Sequence, residues 1–150
     1  MKRWLLIILS AWALFGLTWW VVERLLMTDE KRVIKQIDLM RRYIETGRLL
    51  TLQDCIAPDY RDDEWDLDRR TLIAAIATLR REYSNLDLRI ERIVVRVKGD
   101  TAEADLRGTA TGTRPGSLRE QIESGNYLFG FQKLDKVWKL NRIAKKEDGK

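Results

Sequence analysis

Apolar and polar positions along this chain follow three successive patterns. From Trp4 to Val22 the run WLLIILSAWALFGLTWWVV carries no charged residue, and as a helix it rises about 28 Å, close to the hydrocarbon thickness of a bilayer. From residue 29 to residue 83 apolar residues recur every three or four positions, as on the buried stripe of a helix. From Leu86 to Ile143 the period falls to two, as on a half-buried strand.

The helical pattern divides into three. Thr28 and Asp29 offer N-caps for a first helix over 29–46, with Val33, Ile34, Ile37, Met40, Tyr43 and Ile44 on one stripe and Gly47 to end it. A short second helix over 49–56 carries Leu49, Leu50, Leu52 and Ile56 and stops at Pro58. A third, over 68–83, turns Leu72, Ile73, Ile76, Leu79 and Tyr83 inward, and Ser84-Asn85 closes it.

In the strand region Leu86, Leu88 and Ile90 alternate in one phase and Ile93, Val95 and Val97 in the other, which requires a bulge near Glu91-Arg92. Gly99-Asp100 has the chemistry of a two-residue hairpin turn, after which Ala102, Ala104, Leu106, Gly108 and Ala110 share a face. Pro115-Gly116 marks a wider connection. A strand over 120–133 then alternates Tyr127, Phe129 and Phe131, and Leu134-Asp135-Lys136 turns into a last strand with Val137, Trp138, Leu140 and Ile143. Trp138 is expected to pack against the third helix through Leu72, Ile76 or Leu79. Helices first and a meander afterwards define an α+β domain, with three helices on a curved, mostly antiparallel sheet of four to six strands. The expected division is an anchor at 1–27, a domain at 28–144 and a disordered tail at 145–150.

The first run reads as an uncleaved transmembrane helix over about 4–22. Trp4 stands at one end and Trp19 with Trp20 at the other, where amphipathic rings settle among headgroups. A secretory signal peptide is the rival reading, but WWVVERLLMTDEKR follows in place of small residues at a cleavage site. Lys2 and Arg3 precede the span, and Arg24, Lys31, Arg32 and Lys35 follow it. A short basic N-terminus acts like a signal n-region, and a large domain translocates largely regardless of its charge. The expected topology is N-terminus in the cytoplasm and domain on the extracytoplasmic, periplasmic side.

Composition narrows the chemistry. The 150 residues carry a net charge of +5 with 34% charged residues, acids and bases interspersed, which suits a solvated surface near a membrane more than a nucleic-acid site. There is no histidine, which removes the commonest general base and zinc ligand. Neither a metal nor a cofactor is expected. The single cysteine, Cys55, reads as a small buried apolar residue, with an intermolecular disulfide or reactive thiol as alternatives.

The stretches IAPDYRDDEWDLDRR, RIVVRVKGDTAEADL and YLFGFQKLDKVWKLNRI, in this order along about Val33 to Ile143, resemble the nuclear transport factor 2-like superfamily, the cone-shaped fold shared with SnoaL-like proteins and ketosteroid isomerases. The first is similar to the loop before the third helix of small bacterial members, the second to their strand, GD turn and strand, the third to their closing Trp-Lys hairpin. The resemblance implies a curved-sheet cone that often dimerises. One membrane helix followed by such a cone also resembles bridging components of type IV secretion and certain transporter-associated membrane proteins. The superfamily hosts enzymes, binders and interaction modules, so the fold by itself carries no function.

Asp59, Asp62, Asp63, Glu64, Asp66 and Asp68 crowd ten residues around Arg61. They lack the glycine of a calcium loop and stand where a helix start favours acids. Tyr60 and Trp65 flank them and, with Tyr43, Tyr127 and Trp138, are candidates for the mouth of a pocket. Asp54 is the candidate pocket carboxylate, whereas Asp105 falls on the polar face opposite Ala104 and Leu106. The ligand-site residues are thus Tyr43, Asp54, Tyr60 and Tyr127. They belong to a membrane-tethered module expected to bind a protein partner, a second copy or a small ligand without catalysis. The alternative is an isomerase or dehydratase using a pocket carboxylate and a tyrosine.

Overall fold

The computed structural model describes residues 2–25 and 28–147. Four helices, α1 (Lys2–Leu25), α2 (Asp29–Thr46), α3 (Leu49–Asp54) and α4 (Arg69–Glu82), precede four strands, β1 (Ser84–Lys98), β2 (Thr101–Thr113), β3 (Arg119–Leu134) and β4 (Val137–Lys146). The strands form one antiparallel sheet in the order β1-β2-β3-β4. Among the described residues no helix is long and apolar enough to cross a membrane. The expected span, 4–22, includes residues whose side chains lie outside the described set.

Local chemistry fixes the helix ends. The Thr28 hydroxyl accepts the Lys31 N–H at 3.4 Å, and α2 stops at Gly47, whose φ of 77° is open to glycine at no steric cost. Arg80 of α4 donates to the carbonyls of Ile44 and Glu45 at 2.6 and 2.7 Å. It thereby satisfies carbonyls that the last turn leaves without an intrahelical partner. The same guanidinium leaves no room at Gly47, where an added Cβ would lie 2.9 Å from it. At the start of α4 Asp68 and Thr71 form a reciprocal capping box.

Val33, Ile37 and Met40 of α2 pack with Leu52 and Ile56 onto Ala102, Ala104, Leu106, Phe131, Trp138 and Leu140 of the sheet. The expected bulge is present: Ile90 pairs with Gly108 and Arg92 with Arg107, leaving Glu91 as the extra residue. Further bulges leave Ile122 and Asn141 unpaired on β3 and β4, and together they curve the sheet around α2.

Several boundaries differ from the sequence reading. The second helix ends at Asp54, not residue 56, because Ile56 leaves the helix to bridge Leu140 in parallel. The third helix ends at Glu82 with Tyr83 as its cap, so Ser84 and Asn85 open β1 instead of closing the helix, with Asn85 at φ 51°. β4 continues to Lys146, where Lys145 and Lys146 pair with Tyr127 and Asn126, so the expected tail begins inside a strand. Residues 148–150 lie outside the described set. Trp138 stands in the closing strand as expected but packs at the start of α2, not on α4. Its indole N–H donates to Asp29 at 3.3 Å and Lys133 stacks over its ring. The reason is placement: α4 lies against α3 and β1, while α2 reaches β4.

Candidate functional site

The concave face of the sheet can be read strand against strand. Ala102 faces Phe131, Ala104 faces Phe129 and Leu106 faces Tyr127, each a smaller residue against an aromatic one. The alternation then fails: Gly108 faces Gly125. Whereas the space at Gly125 is taken by the Tyr127 ring and the Lys145 stem, Gly108 and Ala110 border a cavity of about 290 Å³ between the sheet and α2. Its walls include Ile37, Met40 and Ile44 of α2, Leu88 and Ile90 of β1, and Phe129 and Ile143, so the lining is almost wholly apolar. A Cβ at Gly108 would meet only ordinary contacts, 3.4 Å to the Arg89 carbonyl and 3.8 Å to Leu106.

Polar groups gather at one side. Glu123, Gly125 and Tyr127 occupy alternate positions of β3 and therefore share a face. With no side chain at Gly125, the Tyr127 ring lies along the strand over it, 3.6 Å from where a Cβ would be. Tyr127 there lies beside Glu123, whose charge acts on it. Lys145 donates to Glu123 at 2.6 Å. That bond holds the Glu123 carboxyl below its ordinary range and the Lys145 ammonium above its own. Tyr127 is pushed the other way, first by burial and then by the Glu123 charge, and keeps its proton. On the opposite wall Arg41 is clamped between Asp38 at 2.8 Å and Glu45 at 3.1 Å. The Glu123 carboxylate and the Arg41 guanidinium are thus both met within the chain.

Of the expected site residues, Tyr127 and Trp65 line the cavity. Tyr43 packs partly buried against the core, Tyr60 is buried within it, and Asp54 is exposed at the end of α3. None of these three is among the lining residues. Tyr60 donates to Asp62 at 3.4 Å, and burial followed by the Asp62 charge raises its pKa, so it keeps its proton. Asp105 stands on the outer face, bonded to Lys146, as its pattern required. Cys55 is buried, which raises its thiol pKa and leaves it protonated. The residues the sequence reading did not assign are Glu123 and Lys145. The spacing Glu123, Gly125, Tyr127 extends the alternation already visible at Phe129 and Phe131.

The acidic loop is spent on structure. Asp62, 2% exposed, accepts the Trp65 N–H at 2.7 Å and donates its own N–H to Leu67. Glu64 accepts the Lys145 N–H, Asp63 pairs with Arg142, and Asp66 pairs with Arg61. These contacts fasten the loop to β4 and bring Trp65, half exposed, to the cavity. Among the described residues no group of three or more His, Cys, Asp or Glu is placed to hold a metal.

No protein-family model matches this chain, and no curated protein matches it either. Solved structures do. A nuclear transport factor 2-like protein with a cystatin-like fold from Novosphingobium aromaticivorans has a TM-score of 0.67 at 18% identity over 87% of this chain and 90% of its own. A candidate scytalone dehydratase from the same organism has 0.67 at 13% identity, over 78% of this chain and 83% of its own. Rv3472, a protein of unknown function from Mycobacterium tuberculosis solved as a point variant, has 0.68 at 18% identity, over 78% and 74%. At such identities the likeness carries architecture and no activity: this chain has the α+β fold, four antiparallel strands curved around helices, of nuclear transport factor 2-like proteins.

Proposed function

We propose that this protein is a membrane-tethered binding module that holds a small apolar ligand in the cone of its sheet, on the extracytoplasmic side. The observation that carries the reading is the apolar cavity beside Gly108 and Ala110, under α2. Its volume lies near the lower bound, roughly 300 Å³, of small-molecule sites, which suits a short acyl chain or a single ring. The charge-free run from Trp4 to Val22 supports the tether, and the basic Lys2-Arg3 before it supports the orientation.

Catalysis is the weaker reading. A general base at neutral pH needs a carboxyl raised toward that pH, but Lys145 lowers Glu123, and Asp54 stands outside the cavity. A tyrosine that keeps its proton beside a neutralised carboxylate orients a ligand better than it moves a proton.

The test uses the full chain in membranes with a short alkyl diazirine photoprobe, adducts being located by mass spectrometry. Labelling is expected at Met40, Ile44, Tyr127 or Phe129, retained in Gly108→Ala and lost in Gly108→Leu, whose side chain would fill the cavity. Adducts confined to residues 4–22 in all three proteins would sink the ligand reading.

A further inference from the structure

The sheet has two edges, and the chain treats them differently. β4 is covered: the Ala57 N–H donates to the Leu140 carbonyl at 2.7 Å, the Leu140 N–H to Cys55 at 2.9 Å, and the Arg61 N–H to Asn141 at 3.2 Å. β1, fifteen residues long, has no strand beyond it among the described residues. Apart from bonds to its neighbour β2, its described backbone engages one side chain, Glu45, which accepts the Leu88 N–H at 2.8 Å.

Along the outer face of β1 stand Arg89, Arg92, Arg96 and Lys98, all exposed. None has an ion-pair partner among the described residues. The acids nearest them are already engaged: Glu91 with Arg107 at 3.3 Å, Glu103 with Arg142 at 3.8 Å, and Asp105 with Lys146. Arg92 moreover lies directly across from Arg107, a like-charge pair that costs stability. Between the cations Val94 is 40% exposed. A row of cations is one way to keep a free edge from pairing with itself. In a two-fold dimer through β1 the same cations would face one another, so a second copy does not fit. An extended chain with acids at alternate positions does. Its backbone would meet the free edge, its carboxylates would meet Arg92, Arg96 and Lys98 over about 20 Å, and an apolar residue would cover Val94.

We propose that the free edge of β1 is the docking site for an extended acidic segment of a partner protein, which adds to the sheet as a fifth strand. The test is fluorescence anisotropy of the full chain in non-ionic detergent with a labelled peptide carrying glutamate at alternate positions, valine at the one that faces Val94, and threonine between. Binding is expected, weakened roughly tenfold or more by Arg92→Glu or Arg96→Glu. It should also be lost when prolines replace threonines in a peptide of the same charge, because proline removes the N–H groups that pairing needs. Equal binding of the proline peptide, or of a single-stranded oligonucleotide, would reduce the row to a non-specific anion surface and overturn the proposal. So would absence of binding by the wild type together with self-association of an Arg92→Thr, Arg96→Thr variant, since the cations would then serve only to prevent edge pairing.

Discussion

The two ends of the cone use the same face of the same sheet, yet one is filled and the other hollow. Near the start of α2, Phe131, Trp138 and Leu140 pack over Ala102 and Ala104, each 3% exposed or less. Farther along, Gly108 and Ala110 leave the space open, with Leu88, Ile90 and Phe129 only partly buried around it. Backbone pairing is continuous through both, since β2 and β3 stay in register from Thr101 to Ala110. The difference lies in side-chain volume alone. Stability is concentrated where small meets large, and the space for a ligand appears where small meets small.

The comparison breaks most easily at Trp138. If the filled end carries the stability, Trp138→Ala should cost about 3 to 5 kcal/mol in denaturant unfolding, a large share of the roughly 5 to 15 kcal/mol a domain possesses. The loss combines the cavity with the indole bond to Asp29 and the stacked Lys133. A near-neutral result would mean that the two ends do not differ energetically.

A smaller effect should appear at alkaline pH through Tyr60. An unfolded tyrosine ionises near pH 10, while in the folded chain burial and the Asp62 charge raise Tyr60 above that. Above about pH 10 the unfolded state therefore releases a proton that the folded state keeps. Stability is complete below that pH and falls as pH rises toward the folded value. Tyr60→Phe should flatten the alkaline limb of a stability-against-pH curve. An unchanged limb would show that Tyr60 is not held protonated by the fold.

The smallest effect is expected at Asp54. Exposed at the end of α3 and away from the cavity, it should tolerate Asn within about 0.5 kcal/mol. Probe labelling of the cavity should also be unaltered, and a change in either measurement would return Asp54 to the candidate site.

Periodicity and turn chemistry determined much of the architecture. The stripe Val33, Ile37, Met40 specified which face of α2 is buried, Gly99-Asp100 the first hairpin, and the phase change at Glu91 the bulge, because each is a relation among neighbours in sequence. The same local rules placed Asp105 outside and Tyr127 inside. They misled at Tyr43 and Tyr60, since an aromatic residue on an inward face is equally fit to fill a core or to line a cavity. Only the sheet register decided that. Gly108 and Gly125 belong to different strands, and each alone is an ordinary glycine in a β pattern; the register that sets β2 against β3 brings them opposite one another, so that Tyr127 folds over Gly125 while Gly108 borders the cavity. Lys145 likewise meets Glu123 because β4 runs to Lys146 beside Tyr127. A cavity is volume missing from several strands at once, so its position follows from their alignment and not from any one of them.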